Sequence, residues 1–147
     1  MAVRYSAWLR LLVGLLSVQF LLGVWVSLYG TFPATSNVVR AALYRGDPVL
    51  SVHFALAILL VVLGFVVTLL SFRADAPAQL RWFTLGGFLA TLAAYEAGVE
   101  LVVSGFSSAL EIFVMAAAFL AAMGFYGVAQ LLAAGGSLRG DSPSRPT

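Results

Sequence analysis

The chain has 147 residues, 62% hydrophobic and 10% charged, with a mean hydropathy of +1.02, whereas soluble domains run at roughly 45–50% apolar and 25% charged. Eight basic and six acidic side chains, a net charge of +2, cannot clothe a soluble core of this size, so the composition specifies a membrane protein and excludes a soluble enzyme. The absence of Cys removes disulfides, iron–sulfur clusters, thiolate zinc sites and catalytic thiols, and the basic residues, all Arg, stand at the ends of apolar runs and not in a nucleic-acid patch.

No charge occurs between Arg10 and Arg40, and the run from Leu11 to Gly30 is long enough, at about 1.5 Å per residue, to cross a ~30 Å hydrocarbon core. It exceeds the apolar stretch of a signal peptide, and no small-residue cleavage site follows, so the reading is a first transmembrane helix over residues 8–30. A second helix over 49–72 is entered through Asp47-Pro48, where Pro suits the first helical position and Asp caps free N–H groups. Helices over 81–103 and 108–134 follow. Gly135-Gly136 is expected to stop the last one, leaving 135–147 as a disordered cytoplasmic tail after a 1–134 transmembrane domain.

Four spans put both termini on one side. Arg4, Arg10, Arg73, Arg81, Arg139 and Arg145 share that side against Arg40 and Arg45 opposite, which makes it cytoplasmic. The expected fold is all-α: an integral membrane, antiparallel four-helix bundle, multi-pass in the cell membrane, with short links between helices two, three and four.

Ionisable residues inside spans are the informative ones, since a central charge costs at least ~2.5–3.5 kcal/mol. Here they are His53, Glu96, Glu100 and Glu111, all placed by this topology in the outer half of the bundle. Helical spacing sets small residues beneath polar heads: His53, Ala57, Leu60, Gly64 and Thr68 on one face of the second helix; Gln19, Gly23, Val26 and Gly30 on the first; Glu111, Met115, Ala118, Ala122, Phe125 and Ala129 on the fourth. Small residues also serve simply to let helices approach. On the third helix Gly86, Ala90, Ala94 and Gly98 form a small-residue ridge opposite Glu96 and Glu100. If the carboxylates face the bundle interior, as the cost of lipid exposure predicts, the ridge faces outward and suits homodimerisation or docking to a larger complex; packing within the chain is the other use of such a ridge.

At SVQFLLGVWVSLYG, VHFALAILLVVLGF and YEAGVELVVSGFSSALEIFVMAAAFLAA, over roughly residues 11–130, the chain resembles one four-helix half of heme A synthase. Gln19 and Gly23 match that family's first-helix pattern, His53 matches the ligand His of the second helix, and Glu111 stands where the family has a second ligand His. The resemblance implies a b-type heme with His53 as axial ligand, Met115 as a candidate second ligand, Gln19 and Gly64 in its pocket, and electron transfer or heme handling as the activity. The missing second His and missing loop cysteines argue against heme A synthesis itself.

Two readings from other classes stand beside it. His53 with Glu96, Glu100 and Glu111 supplies donors for a divalent metal or a proton relay. Alternatively, the chain is an accessory subunit of a respiratory or other membrane complex, without its own cofactor, its buried polar groups setting helix registry. No phosphate-binding loop, nucleophile elbow, zinc-protease or dinucleotide motif occurs.

Overall fold

The computed structural model describes residues 2–73 and 76–138. Among these residues all regular structure is helical: α1 (Ala2–Tyr29), α2 (Val38–Ala42), α3 (Pro48–Arg73), α4 (Ala78–Val103) and α5 (Ala109–Leu138). The four long helices each carry 25 to 27 residues apolar enough to cross a bilayer, as their runs of Leu, Val, Ile, Phe and Ala predict.

Their ends follow local chemistry. Asp47 Oδ1 accepts from Val49 N at 2.9 Å and Leu50 N at 3.1 Å, while Oδ2 accepts from Thr31 N at 3.1 Å. The carboxylate therefore caps α3 as expected and also ties its start to the end of α1. The Leu50 N–H above all, with those of Thr31 and Val49, holds Asp47 below the usual carboxylate range against the opposing effect of its burial. Between α4 and α5, Gly105 and Phe106 both take left-handed backbone, at φ 68° and 62°. Gly105 N donates to Val102 O and Phe106 N to Leu101 O, the two bonds of a Schellman cap. Phe106, a residue strained in that conformation, stacks on Phe32 with ring centroids 4.6 Å apart.

Two boundaries differ from expectation. The segment between the first two expected spans, 31–48, contains α2, started by Asn37, whose Oδ1 accepts from Arg40 N at 3.0 Å, and anchored by fully buried Ala41. α5 runs through Gly135-Gly136 to Leu138, because glycine accepts helical dihedrals as readily as the left-handed ones that end a helix. The expected disorder of residues 139–147 lies outside the described residues.

The long helices pack as a closed ring, α1 on α3 and α5, and α4 on α3 and α5. Leu9, Leu12 and Leu16 of α1, Leu60 and Val67 of α3, and Phe119, Tyr126 and Ala129 of α5 form the core. A hydroxyl cluster joins α3 to α4 near their connection: Ser71 Oγ donates to Thr68 O at 2.7 Å, and Thr84 Oγ1 lies 3.0 Å from Ser71 Oγ. The α4–α5 seam decides where the ridge points. A Cβ on Gly86 would come within 2.9 Å of the Phe125 ring, one on Gly87 within 2.8 Å of the Tyr126 ring, and one on Gly98 within 3.6 Å of Met115 Sδ. The ridge thus receives α5 of the same chain, the second of the two uses considered for it, and does not face outward as it would with the carboxylates inside. Large aromatic side chains on α5 need notches, and only Gly and Ala on α4 supply them.

Candidate functional site

Turning the ridge inward turns Glu96 and Glu100 outward: both are exposed on the bundle surface. This reverses the expectation that they face the interior. The spacing was read correctly, one face small and the other acidic, but the small face won the contact with α5. Glu111 is half-buried in the first turn of α5, where its N–H donates to Ser108 Oγ. Among the described residues no three His, Cys, Asp or Glu side chains are gathered as a metal ion needs.

His53 and Gln19 do come together. Gln19, only 5% exposed, projects from α1 toward the first turns of α3, where its Nε2 lies 3.1 Å from His53 O and 3.3 Å from His53 Nε2. A carbonyl only accepts, so the Gln19 atom facing it is the N–H donor, and the same amide group gives its second proton to His53 Nε2. That ring nitrogen is therefore bare, and the neutral imidazole carries its proton on Nδ1. Neither His53 Nδ1 nor Gln19 Oε1 has a partner, and both are buried. Leaving a buried donor and a buried acceptor unmet costs roughly 1–3 kcal/mol each. Gly23 makes the arrangement possible: a Cβ there would stand 3.2 Å from His53 Cε1.

The pair borders a cavity of about 580 Å³ between the helices at the end of the bundle that carries α2, within the ~300–1,000 Å³ range of small-molecule sites. Gly23, Ala57, Ala94 and Gly98 give it flat walls, and Phe20, Phe54, Tyr95 and Phe119 give it aromatic ones. Leu28, Leu43, Ile58 and Ile112 also line it and are themselves exposed, so it opens sideways onto the apolar surface of the bundle. Of its other polar groups, Ser27 Oγ donates to Gly23 O and Thr91 Oγ1 to Gly87 O, each at 2.8 Å. Half-buried Tyr95 adds a hydroxyl to the wall, and among the lining side chains the buried atoms without a partner belong to Gln19 and His53.

Met115 lines this cavity; Gly64, Glu96, Glu100 and Glu111 do not. Gly64 instead makes room for Tyr126, whose Oη a Cβ would meet at 2.7 Å, so the groove expected to continue below His53 is filled from α5. The aromatic walls and the contribution of α2 were missed by sequence reading. Phe20 and Phe54 each follow the polar residue of the pair directly, which was the available signal.

A b-type heme is tested by this donor set. Iron bonds an imidazole lone pair, and here the lone pair is on Nε2 facing Gln19, while the free nitrogen carries a proton. Met115 shares the cavity, but no second His does. The residues present suit a hydrogen-bonded ring better than an iron-ligated one.

In comparisons with known proteins, no family model matches the chain, and no curated protein or solved structure matches it.

Proposed function

We propose that this chain is an antiparallel four-helix protein of the cell membrane, both termini cytoplasmic, that holds a flat, largely apolar small molecule in the outer half of its bundle. The cavity carries the reading: apolar walls, lateral access from the hydrocarbon region, and the hydrogen-bonded Gln19–His53 pair at its border. The orientation rests on the six-to-two distribution of Arg. Gln19 fixes the His53 ring by two contacts, and both side chains border the cavity. Heme b, for electron transfer or heme handling, is the occupant implied by the resemblance to heme A synthase. Bound, it would supply a one-electron centre, but it requires Gln19 to release His53 Nε2.

The test is an absorption spectrum and an organic-solvent extract of protein purified in a mild detergent, beside an Ala116→Trp variant. Ala116 lines the cavity and is exposed, so a bulky replacement fills the space with little strain on the core. A ring compound recovered from the parent and absent from the variant supports the reading. Equal recovery from both, or from neither, refutes it.

A second reading, an accessory subunit without cofactor, is favoured by Glu96 and Glu100: two carboxylates on the outside of a membrane span are costly against lipid and are relieved by a polar partner helix. It differs in expecting no extractable ligand.

A further inference from the structure

Between Arg81 and Val103, α4 exposes six side chains: Trp82, Leu89, Ala93, Glu96, Glu100 and Val103. They follow one another at steps of seven, four, three, four and three, so they form a single narrow strip along the span. A strip of this repeat is the seam along which helices pack at a shallow left-handed angle, in membranes as in water. The rest of α4 is already engaged by α2, α3 and α5, and α1 lies across the bundle from it.

An outward strip follows from packing in any four-helix bundle; its contents do not. α3 turns Val52, Ile58, Leu59, Val62, Phe65 and Leu69 outward, and lipid satisfies all of them. α4 instead sets two carboxylates one helical turn apart, beside the small Ala93. Glu100 and Glu96 lie three and seven residues inside Val103, about 5 and 10 Å along the axis from the end of the helix that adjoins α2. Neither side chain has a partner among the described residues. Lys and Arg escape to the interface on long stems, but Glu is shorter, so the deeper Glu96 stays in apolar surroundings unless another chain covers it.

Charge and geometry choose that cover. A second copy enters the bilayer in the same direction, so pairing two α4 strips about a twofold axis sets each carboxylate against its own copy, like charge against like. A metal ion needs more oxygen ligands than two carboxylates facing lipid supply. A helix with a guanidinium or ammonium group meets both needs: its apolar surface packs on Leu89, Ala93 and Val103, and its cation donates charge-assisted hydrogen bonds to the carboxylates. We infer that the outward face of α4 docks a transmembrane helix of another protein, one that carries Arg or Lys at the depth of Glu96 and Glu100. This is the contact that the accessory-subunit reading requires, and it stands equally if the cavity holds a ligand.

The test is photo-crosslinking in the native membrane, with benzoylphenylalanine installed at Leu89 on the strip or, as control, at Leu21, exposed on α1 at the far side of the bundle. The expected result is a protein adduct from Leu89 and none from Leu21, joined to a membrane-spanning segment with Arg or Lys within about two turns, or ~11 Å, of its end on the α2 side. The paired substitution Glu96→Gln with Glu100→Gln should cut the yield roughly tenfold, as losing a polar contact between membrane helices does. Circular dichroism of the purified variant checks its fold; Ala93→Trp, which obstructs the strip and keeps both charges, is the second variant and should abolish the adduct. An adduct of the chain with itself alone, an attached helix without a basic residue, lipid as the sole product, equal yield from Leu21, or a yield undiminished in the folded Gln pair overturns the inference. Ligand extraction from the same membranes reports separately on the cavity, so either reading can fail without the other.

Discussion

Tyr126 is wholly buried and lies across two glycines, and the two contacts differ in a way that mutation can separate. A Cβ added at Gly64 crowds only the phenolic oxygen, at 2.7 Å, with Phe88 Cδ2 at an ordinary 3.5 Å and Tyr126 Cζ at 3.8 Å, whereas one added at Gly87 meets ring carbons at 2.8 and 2.9 Å. Tyr126 is 0% exposed, so the ring has nowhere to swing. Overpacking of this kind costs about 1–3 kcal/mol, partly offset by up to ~1 kcal/mol of helix propensity gained when Ala replaces Gly. Gly64→Ala and Gly87→Ala should therefore each destabilise by about 1–2 kcal/mol. The Tyr126 hydroxyl stands beside Thr91, whose own proton goes to Gly87 O, and it has no hydrogen bond of good geometry. Tyr126→Phe alone should then be neutral to slightly stabilising. Combined with Gly64→Ala it should restore most of the lost stability; combined with Gly87→Ala it should restore none, because the ring carbons remain. The assay is reversible unfolding in mixed detergent followed by circular dichroism, with Gly124→Ala, which has nothing within 4 Å of the added carbon, as control. The reasoning fails if Tyr126→Phe costs as much as Gly64→Ala, or if it rescues both glycine variants equally.

Removing the α3 cap in Asp47→Ala should cost roughly 0.5–2 kcal/mol near neutral pH. Because the folded protein holds the Asp47 carboxyl below its ordinary value, the charged form stabilises the fold above the unfolded pKa of about 4, and that contribution fades as pH falls through the lower folded value; melting curves of the parent should converge on those of Asp47→Asn at acid pH, and a constant gap from pH 6 to 3 would refute the linkage. The paired substitution Glu96→Gln with Glu100→Gln touches only exposed side chains, so the detergent-solubilised protein should change by no more than ~0.5 kcal/mol in the same unfolding assay. A reporter active only in the cytoplasm, fused after Thr147, should give signal, and silence there with activity of a periplasmic reporter would reverse the orientation.

Much of this architecture is legible in the sequence because membrane spanning is a matter of length and composition. The four runs, the Asp47-Pro48 helix start, and the common face of Gln19 and Gly23 follow from local chemistry or from helical spacing, whereas the meeting of that face with His53 was implied only by the resemblance to heme A synthase. What spacing cannot give is direction. A helix that is apolar on every side has no polar face to mark its exterior, so Gly86, Ala90, Ala94 and Gly98 were correctly placed opposite Glu96 and Glu100 while the choice of inside and outside was reversed. The expected cost of exposed carboxylates was outweighed by the need of Phe125 and Tyr126 for small neighbours, a fact that exists only once α4 and α5 are paired. Gly64 failed as a cavity residue for the same reason: its empty space belongs to a side chain 62 positions later in the chain.

The cavity wall is drawn from residues as distant as Leu16 and Phe119, and this gives an occupant a role in assembly. Neither the pair α1 and α3 nor the tightly seamed hairpin of α4 and α5 encloses the space by itself; it comes into being when the two halves dock. A molecule bound there would act as mortar between the two halves, strengthening their union by RT ln(1 + [L]/Kd). On the proposed function, a newly made chain in a membrane lacking that molecule would be a looser object, and abundance of the protein would track supply of the ligand.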